Sequence, residues 1–244
     1  MILLIRSFFI LFIALFISGT SAFAQSNATV SDERVKELAL EAILENPRVI
    51  EEAIQRLQLM RQAQAQAGIK ATIDQRRDLL VNDANAPVLG NPQGDVTVVE
   101  FFDYNCPYCK RAKPELEALL KSDSNVRFVF REWPILGEGS VYAARAALAS
   151  RKQGKYEDFH WALMGVKGRI DNNSVMKIAL DAGLDVVQLK TDMDDPAIAA
   201  HIQLSMQLAQ ELNITGTPAF VIGDDVYPGL RTHDELAEII SANR

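Results

Sequence analysis

The two cysteines of the chain, Cys106 and Cys109, are separated by only two residues. Such a pair can form a structural disulfide, supply half of a metal site, or exchange electrons with other thiols. A disulfide that closes so short a loop restricts the unfolded chain little, which argues against a purely structural bond. A zinc site needs two more ligands, and His160, His201 and His233 are isolated in the sequence. The spacing therefore favours thiol–disulfide exchange, with the structural bond and the metal site as alternatives.

The residues around the pair predict the junction of a strand and a helix. A β-branched and aromatic run, residues 95–104, precedes it, and a helix-forming run, residues 107–122, follows it. Cys106 then lies at the helix N-terminus, with Pro107 at the first helical position, where no N–H is needed. The free N–H groups and the helix dipole favour a thiolate at Cys106. Cys109, one turn later, is expected to be the more buried partner that resolves a mixed disulfide.

Glu100 lies in the middle of the predicted strand. Strand alternation places Val98, Glu100 and Phe102 on one face, and both faces of the strand are mostly apolar. A carboxyl group there is expected to be at least partly buried, with a raised pKa. It can then accept the proton of Cys109 when that thiol becomes a nucleophile. The alternative is a strand-end glutamate whose carboxylate reaches solvent.

The N-terminus has the three parts of a secretory signal peptide. Arg6 is followed by an apolar run, residues 8–17, and by the small-residue pattern Ala22-Phe23-Ala24. We predict a signal peptide over residues 1–24, because the apolar run is short for a membrane anchor, which is the alternative. Export leads to an oxidising compartment, most simply a bacterial periplasm. The net charge of −7 argues against nucleic acid as a partner.

The rest of the chain divides into a helical segment and a mixed domain. Residues 31–68 carry the amphipathic pattern of two helices, the second starting with Pro47, and a further helical stretch covers residues 69–80. A second strand is predicted at residues 126–131, and the pattern is helical from about residue 139 to residue 212. A strand, a turn and a helix capped by Thr232, with Glu235 three residues later, end the chain.

Four stretches of this domain resemble the DsbA branch of the thioredoxin superfamily. They are EFFDYNCPYC, FREWPILGEGSVYAARAALAS, KYEDFHWALM and LNITGTPAFVIGDDVYPGL, residues 100–109, 130–150, 155–164 and 212–230. The resemblance covers residues 85–244. It implies an α/β, thioredoxin-like fold with a helical insertion at about residues 139–212.

The resemblance also implies roles for individual residues. Cys106 and Cys109 would be the catalytic pair, which alternates between two thiols and a Cys106–Cys109 disulfide. Glu100 matches the buried acid below the active site of that family. Thr217 and Pro218 match its cis-proline loop, which would bind the substrate backbone beside Cys106. No metal or organic cofactor is required.

The residues between the cysteines are expected to contact substrate as well. Pro107 and Tyr108 are assigned to substrate binding, and Tyr104, Tyr108 and Trp133 can line a peptide groove, although packing is the favoured role of Trp133. Tyr108 carries no charge, so it stabilises the thiolate less than a histidine would. We therefore expect a less strongly oxidising pair than in the most oxidising DsbA proteins.

The N-terminal segment resembles a subgroup of this family. EAILENPRVIEEAIQRLQ, residues 41–58, is similar to the corresponding segment of ScsC-type (suppressor of copper sensitivity) proteins. Some of these oligomerise through the segment and act as disulfide isomerases. The resemblance implies an N-terminal helical segment, residues 25–84, that oligomerises through residues 31–68. The alternative is a segment that folds back on the main domain, residues 85–244.

Three functions follow as candidates. The first is a periplasmic disulfide isomerase whose oligomer presents several active sites to one client protein. The second is a DsbA-like dithiol oxidase. The third is a Cu(I)-binding protein that uses the reduced cysteine pair, since thiolates suit this soft ion. The first two require client proteins and a membrane redox partner that recharges the pair.

Overall fold

The computed structural model describes residues 31–244, so the predicted signal peptide lies outside the described residues. The chain divides into two compact units, one ending at Leu57 and the other extending from Gln58 to Arg244. In the part that is described, no helix is both long and apolar enough to cross a membrane.

Two helices contribute to the first unit. Helix α1 covers Asp32–Glu45, and its first turn is capped by the Ser31 side chain, which accepts a hydrogen bond from the Arg34 N–H. Helix α2 covers Arg48–Val81. It begins one residue later than predicted, so Pro47 lies just before the helix and not at its first position. Among the described residues of this unit, the large apolar side chains are exposed: Val35, Leu38, Leu40, Ile43, Leu44, Val49, Ile50, Ile54 and Leu57.

The strands of the described chain form one five-stranded sheet with the order β1-β3-β2-β4-β5. The strands are β1 (Val88–Gly90), β2 (Val96–Phe102), β3 (Val126–Glu132), β4 (Ala219–Ile222) and β5 (Asp225–Pro228). Strands β2 and β3 are parallel, and the other pairs are antiparallel. The central position of β2 agrees with its apolar residues on both faces. The short edge strand β1 was not predicted.

Helices cover both faces of the sheet. Helix α3 follows β2, five helices separate β3 from β4, and α9 ends the chain. Their bounds are α3 Pro107–Ser122, α4 Glu138–Ser150, α5 Tyr156–Met164, α6 Asn172–Asp181, α7 Val186–Asp192, α8 Pro196–Glu211 and α9 His233–Ala242. The predicted thioredoxin-like α/β fold with a helical insertion is thereby confirmed.

The predicted alternation of β2 divides the core into two clusters. Val98 and Phe102 belong to the cluster that contains both cysteines. Val99 and Phe101 face the opposite cluster. Ile73 of α2 is buried in that second cluster, so the helical stretch predicted at residues 69–80 packs in the second unit as the continuation of α2.

Candidate functional site

Cys106 lies at the junction of β2 and α3, as predicted. It is the N-cap residue of α3, with extended backbone angles (φ −75°, ψ 120°), and Pro107 occupies the first turn. Cys109 follows one turn later, and both residues are buried free thiols. The Cys106 Sγ donates a hydrogen bond to the Thr217 carbonyl oxygen at 3.2 Å. The reactive sulfur therefore lies in direct contact with the main chain of Thr217.

The two thiols differ in proton affinity. A hydrogen bond from the Cys109 thiol lowers the pKa of Cys106 to about 5, against the effect of burial. Hydrogen bonds from the Thr217 side chain and from the main-chain N–H groups of Cys109 and Tyr108 contribute to this same lowered value. Burial, the bond to Cys106 and the charge of Glu100 raise the pKa of Cys109 well above its usual value. Cys106 can therefore act as the attacking thiolate, while Cys109 needs a proton acceptor.

Glu100 is only 1% exposed, so the alternative of a carboxylate that reaches solvent is wrong. Its Oε2 has no hydrogen-bond partner in the described part of the chain. Burial, followed by the charges of Cys106 and Glu132, raises the pKa of Glu100 to about 8. A carboxyl group with this pKa can accept a proton near neutral pH and release it again.

The loop that faces Cys106 contains a cis peptide bond between Thr217 and Pro218. Pro218 is buried and Thr217 is partly exposed. The Pro218 carbonyl oxygen accepts a hydrogen bond from the Gly229 N–H at 2.8 Å, which ties the loop to the end of β5. The structure thus brings the two residues of the predicted substrate loop to the reactive sulfur.

The remaining predicted substrate residues are divided between surface and core. Pro107 and Tyr108 are exposed next to the cysteines, and the Arg111 guanidinium lies 4.3 Å from the centre of the Tyr108 ring. Tyr104 cannot line a groove as predicted, because it is buried and its hydroxyl hydrogen-bonds His160. Trp133 packs against the cluster on the other face of the sheet.

Asp103 is a site residue that sequence reasoning missed. Its Oδ1 accepts the Asn105 N–H at 2.7 Å. Its Oδ2 accepts the N–H groups of Ile135 and Leu136 at 2.8 and 2.9 Å, and its carbonyl oxygen accepts the Cys106 N–H at 3.0 Å. One buried side chain therefore fixes the loop before Cys106 against the loop after β3.

Asn105 makes a second connection of this kind. Its Oδ1 accepts the Ile170 N–H at 2.6 Å, and its Nδ2 donates to the Ile170 carbonyl oxygen at 3.1 Å and to Ser140 Oγ at 3.2 Å. Gly139 lies against the same loop so closely that a Cβ would meet the Ile170 oxygen at 2.2 Å. Asp103 and Asn105 are polar residues directly after the apolar strand β2, and this polarity was the signal that the sequence offered for them.

A buried polar cluster lies beside this site. The Glu132 carboxylate accepts the Tyr156 hydroxyl at 2.8 Å and lies 2.8 Å from His201 Nε2. His201 Nδ1 lies 3.1 Å from an Asp83 carboxylate oxygen, which pairs with Arg131 at 2.6 Å. Packing and hydrogen bonding account for the buried His160 and His201, and His233 pairs with Asp234 at the surface.

The fold, the helix N-terminal cysteine and the cis-proline loop define a DsbA-like thiol–disulfide oxidoreductase domain. Residues 97–241 match the family of DSBA-like thioredoxin domains, and the chain belongs to this family.

Solved structures extend the similarity. A thioredoxin-like oxidoreductase from Silicibacter pomeroyi is 59% identical, with a TM-score of 0.67, and the match covers 68% of this chain and 96% of that one. A Proteus mirabilis ScsC variant with a linker deletion is 30% identical, with a TM-score of 0.68, over 89% of this chain and 98% of that one. The suspected ScsC-type, DsbA-like relationship is confirmed.

Curated relatives include a disulfide bond formation protein and several antiporters that are much longer than this chain. Disulfide bond formation protein D of Bacillus subtilis is 30% identical over 173 residues, which cover 63% of this chain and 75% of the relative. The Na(+)/H(+) antiporter NhaA 1 of Salinispora arenicola is 28% identical over 157 residues. The chain spans about a quarter of the length of such antiporter relatives, 24% in this case.

Proposed function

We propose that the protein is a periplasmic thiol–disulfide oxidoreductase that exchanges disulfides with client proteins and acts as a disulfide isomerase. The observation that carries the exchange activity is the Cys106 sulfur, whose pKa is lowered to about 5 and which contacts the Thr217 carbonyl. The isomerase assignment is supported by similarity to an ScsC protein over 89% of the chain, more than the catalytic domain alone. The predicted signal peptide supports the location.

Exchange starts when the Cys106 thiolate attacks a client disulfide. A bond forms between the Cys106 sulfur and one client sulfur, and the other client sulfur leaves as a thiolate. In isomerisation that thiolate attacks another disulfide of the client. A client thiolate finally displaces Cys106, so the number of disulfides in the client does not change.

Cys109 resolves the mixed disulfide between Cys106 and the client when no client thiol displaces Cys106. Its thiol transfers a proton to the Glu100 carboxylate and attacks the Cys106 sulfur. The Cys106–Cys109 disulfide forms and the client leaves with two thiols, so the client is reduced and the enzyme is oxidised. A membrane redox partner would then restore the reduced pair.

The substrate segment would lie against the cis-proline loop. The Thr217 main chain lies beside the Cys106 sulfur, Pro218 follows it in the same loop, and Pro107 and Tyr108 present an exposed surface next to the cysteines. This arrangement suits an extended client segment, since the backbone of such a segment has free hydrogen-bonding groups.

The N-terminal helical segment, proposed as residues 25–84 ahead of the domain at 85–244, would join copies of the chain through residues 31–68. Its exposed apolar residues support this role. Ile50, Ile54 and Leu57 recur at helical spacing on α2, and an isolated amphipathic helix gains stability when a partner covers such a stripe. An oligomer would present several Cys106 sulfurs to one misfolded client.

A dithiol oxidase is the second candidate. The lowered pKa of Cys106 favours it, because stabilising the thiolate stabilises the reduced pair and makes the disulfide a stronger oxidant. Cu(I) binding by the reduced pair is the alternative from another class. A Cys106→Ser variant that competes for Cu(I) as well as the native protein would exclude it.

Reactivation of a scrambled, fully disulfide-bonded test protein separates these functions. We expect the native chain to reactivate it, and a variant with Ile50→Gln, Ile54→Gln and Leu57→Gln to sediment as a smaller species and to lose most of this activity. Arg56→Gln, on the same helix, is the matched control and should behave as the native chain. Rapid oxidation of a reduced substrate without any reactivation would instead identify an oxidase.

A further inference from the structure

Four basic side chains border the reactive cysteine. Lys110 and Arg111 lie in the first turns of α3, directly after the cysteine pair. Lys167 and Arg169 lie in the loop between α5 and α6. We call these four residues the basic rim. Lys110 is partly exposed, and the other three are exposed.

Hydrogen bonds hold the two parts of the basic rim together. Lys110 Nζ donates to the Gly168 carbonyl oxygen at 2.6 Å, between the two basic residues of the loop. Ile170 lies two residues after Gly168. The side chain of Asn105, the residue before Cys106, hydrogen-bonds both the N–H and the carbonyl oxygen of Ile170. The loop therefore lies against both the start of α3 and the residue that precedes the reactive cysteine.

The charges of the basic rim are not neutralised. None of its four residues forms an ion pair with a carboxylate of the described chain, whereas Lys70, Arg77 and Lys152 elsewhere in the second unit each do. The neighbouring Asp103 carboxylate is buried, and its oxygens are occupied by main-chain N–H groups. In a chain with a net charge of −7, these unpaired positive charges lie on the two segments that adjoin the reactive cysteine, the start of α3 and the loop held by Asn105.

Exposed apolar groups lie between these charges. Tyr108 is 52% exposed beneath the Arg111 guanidinium. Ile135 and Leu136 are exposed in the loop that Asp103 fixes, and the Arg169 guanidinium donates to the Leu136 carbonyl oxygen at 2.7 Å. Such a surface suits a polypeptide that carries both apolar and negatively charged side chains.

We propose that the basic rim selects client segments in which acidic residues flank the reacting cysteine. The proposal rests on the thiol-exchange function proposed above and adds a substrate preference to it. Acidic neighbours raise the pKa of a client cysteine and slow its reactions as a nucleophile. The basic rim offsets this slower reaction in two ways. It attracts the acidic segment, and it stabilises the negative charge of the client thiolate beside Cys106.

The expected preference is moderate and depends on salt. Each exposed ion pair contributes little, so a few of them together should change the rate of reaction by about three- to tenfold at low ionic strength. Charges separated by more than about 8–10 Å are screened at physiological salt. The preference should therefore shrink as salt is added.

The test uses the full chain in its oxidised form and three reduced peptides with two cysteines each. The peptides differ only in the flanking residues, which are Glu, Gln or Lys. In each reaction the peptide is oxidised to a disulfide, the Cys106–Cys109 disulfide is reduced, and the second-order rate constant is measured by acid quench and chromatography. Each rate is divided by that of the same peptide with a small disulfide, which removes the intrinsic reactivity of its thiols.

We expect the normalised rate to follow the order Glu, Gln, Lys for the native chain, and the Glu-to-Lys ratio to fall towards one at high salt. A variant with Arg111→Gln and Lys167→Gln should lose most of that ratio. Lys121→Gln is the matched control, because Lys121 is exposed on the same helix three turns away from Lys110, and it should keep the ratio.

Two results would overturn the proposal while leaving thiol exchange intact: equal normalised rates for all three peptides, or a ratio that survives in the double variant. A native chain that oxidises none of the peptides would overturn the underlying exchange function as well.

Discussion

Glu100 and Glu132 lie on the neighbouring strands β2 and β3 and face the same side of the sheet. Both are buried, at 1% and 0% exposure. The Glu132 carboxylate lies within hydrogen-bond distance of the Tyr156 hydroxyl and His201 Nε2. The Oε2 atom of Glu100 has no such partner in the described chain. Two glutamate side chains at neighbouring positions in the fold thus have different environments.

The difference shows that hydrogen-bond partners, and not burial alone, assign the role of a buried acid. Glu132 belongs to a cluster in which each nitrogen of His201 faces a carboxylate, from Glu132 on one side and Asp83 on the other. These bonds raise the pKa of His201 despite its burial, so the cluster favours the charged pair. Glu100 lacks such donors and its pKa is raised to about 8, so its ionised form is a base strong enough to take up the proton of the nearby Cys109.

We expect the strongest effect of Glu100 in the way that the free energy of unfolding changes with pH. Glu100 has a pKa near 8 in the reduced folded protein and an ordinary value of 4.5. Its contribution to stability is therefore fully present below pH 4.5 and is lost as the pH rises through 8. The loss amounts to about 5 kcal/mol at most, at 1.36 kcal/mol per pKa unit.

Denaturant unfolding of the reduced protein between pH 4 and pH 9 measures this loss. The free energy of unfolding of Glu100→Gln should vary less with pH than that of the native chain, because a glutamine does not titrate. Parallel curves for the two proteins would mean that Glu100 has an ordinary pKa and that the contrast with Glu132 is wrong.

The next effect is the loss of the charged cluster in Glu132→Gln. This change replaces the carboxylate between Tyr156 and His201 with a neutral amide and leaves the buried His201, whose pKa the two carboxylates raise, without one of its two carboxylate partners. We expect the free energy of unfolding to fall by about 3 kcal/mol at neutral pH, as for other buried pairs that lose one partner. Thermal or denaturant unfolding measures it.

Glu117→Gln is the control for this prediction. Glu117 forms a partly exposed contact of 3.8 Å with Lys113 on α3, and removing such a long pair near the surface should change stability by less than about 1 kcal/mol. A loss in Glu132→Gln no larger than that of the control would show that the contacts of Glu132 with Tyr156 and His201 do not stabilise the fold.

The environment of Glu100 could be predicted from the sequence, because strand alternation is local. The apolar residues on both faces of β2 place residue 100 in the core, and the N-terminal position of Cys106 on α3 follows from Pro107 and the helix-forming residues after it. The same local signals predicted the capping of α9 by Thr232 and Glu235.

The environment of Glu132 could not be predicted, because its partners come from distant parts of the chain. His201 lies 69 residues later, and only the packing of α8 against β3 brings the two together. Strand β1 was missed for a different reason, since its three residues are too few to show a period. The bonds of Asn105 to Ile170, 65 residues away, likewise depend on the tertiary fold.

The most direct test of the account follows Cys109 itself. A mixed disulfide between Cys106 and a small chromogenic thiol releases that thiol when Cys109 attacks, and the release rate can be measured from pH 5 to pH 10. We predict an inflection below pH 8 in the native chain, because the mixed disulfide removes the Cys106 charge that helps to raise the pKa of Glu100 to about 8. We predict that Glu100→Gln loses this inflection and releases the thiol at least tenfold more slowly at neutral pH, and that Glu132→Gln keeps the inflection at a still lower pH. An unchanged profile in Glu100→Gln would contradict the assignment of Glu100 as the proton acceptor of Cys109.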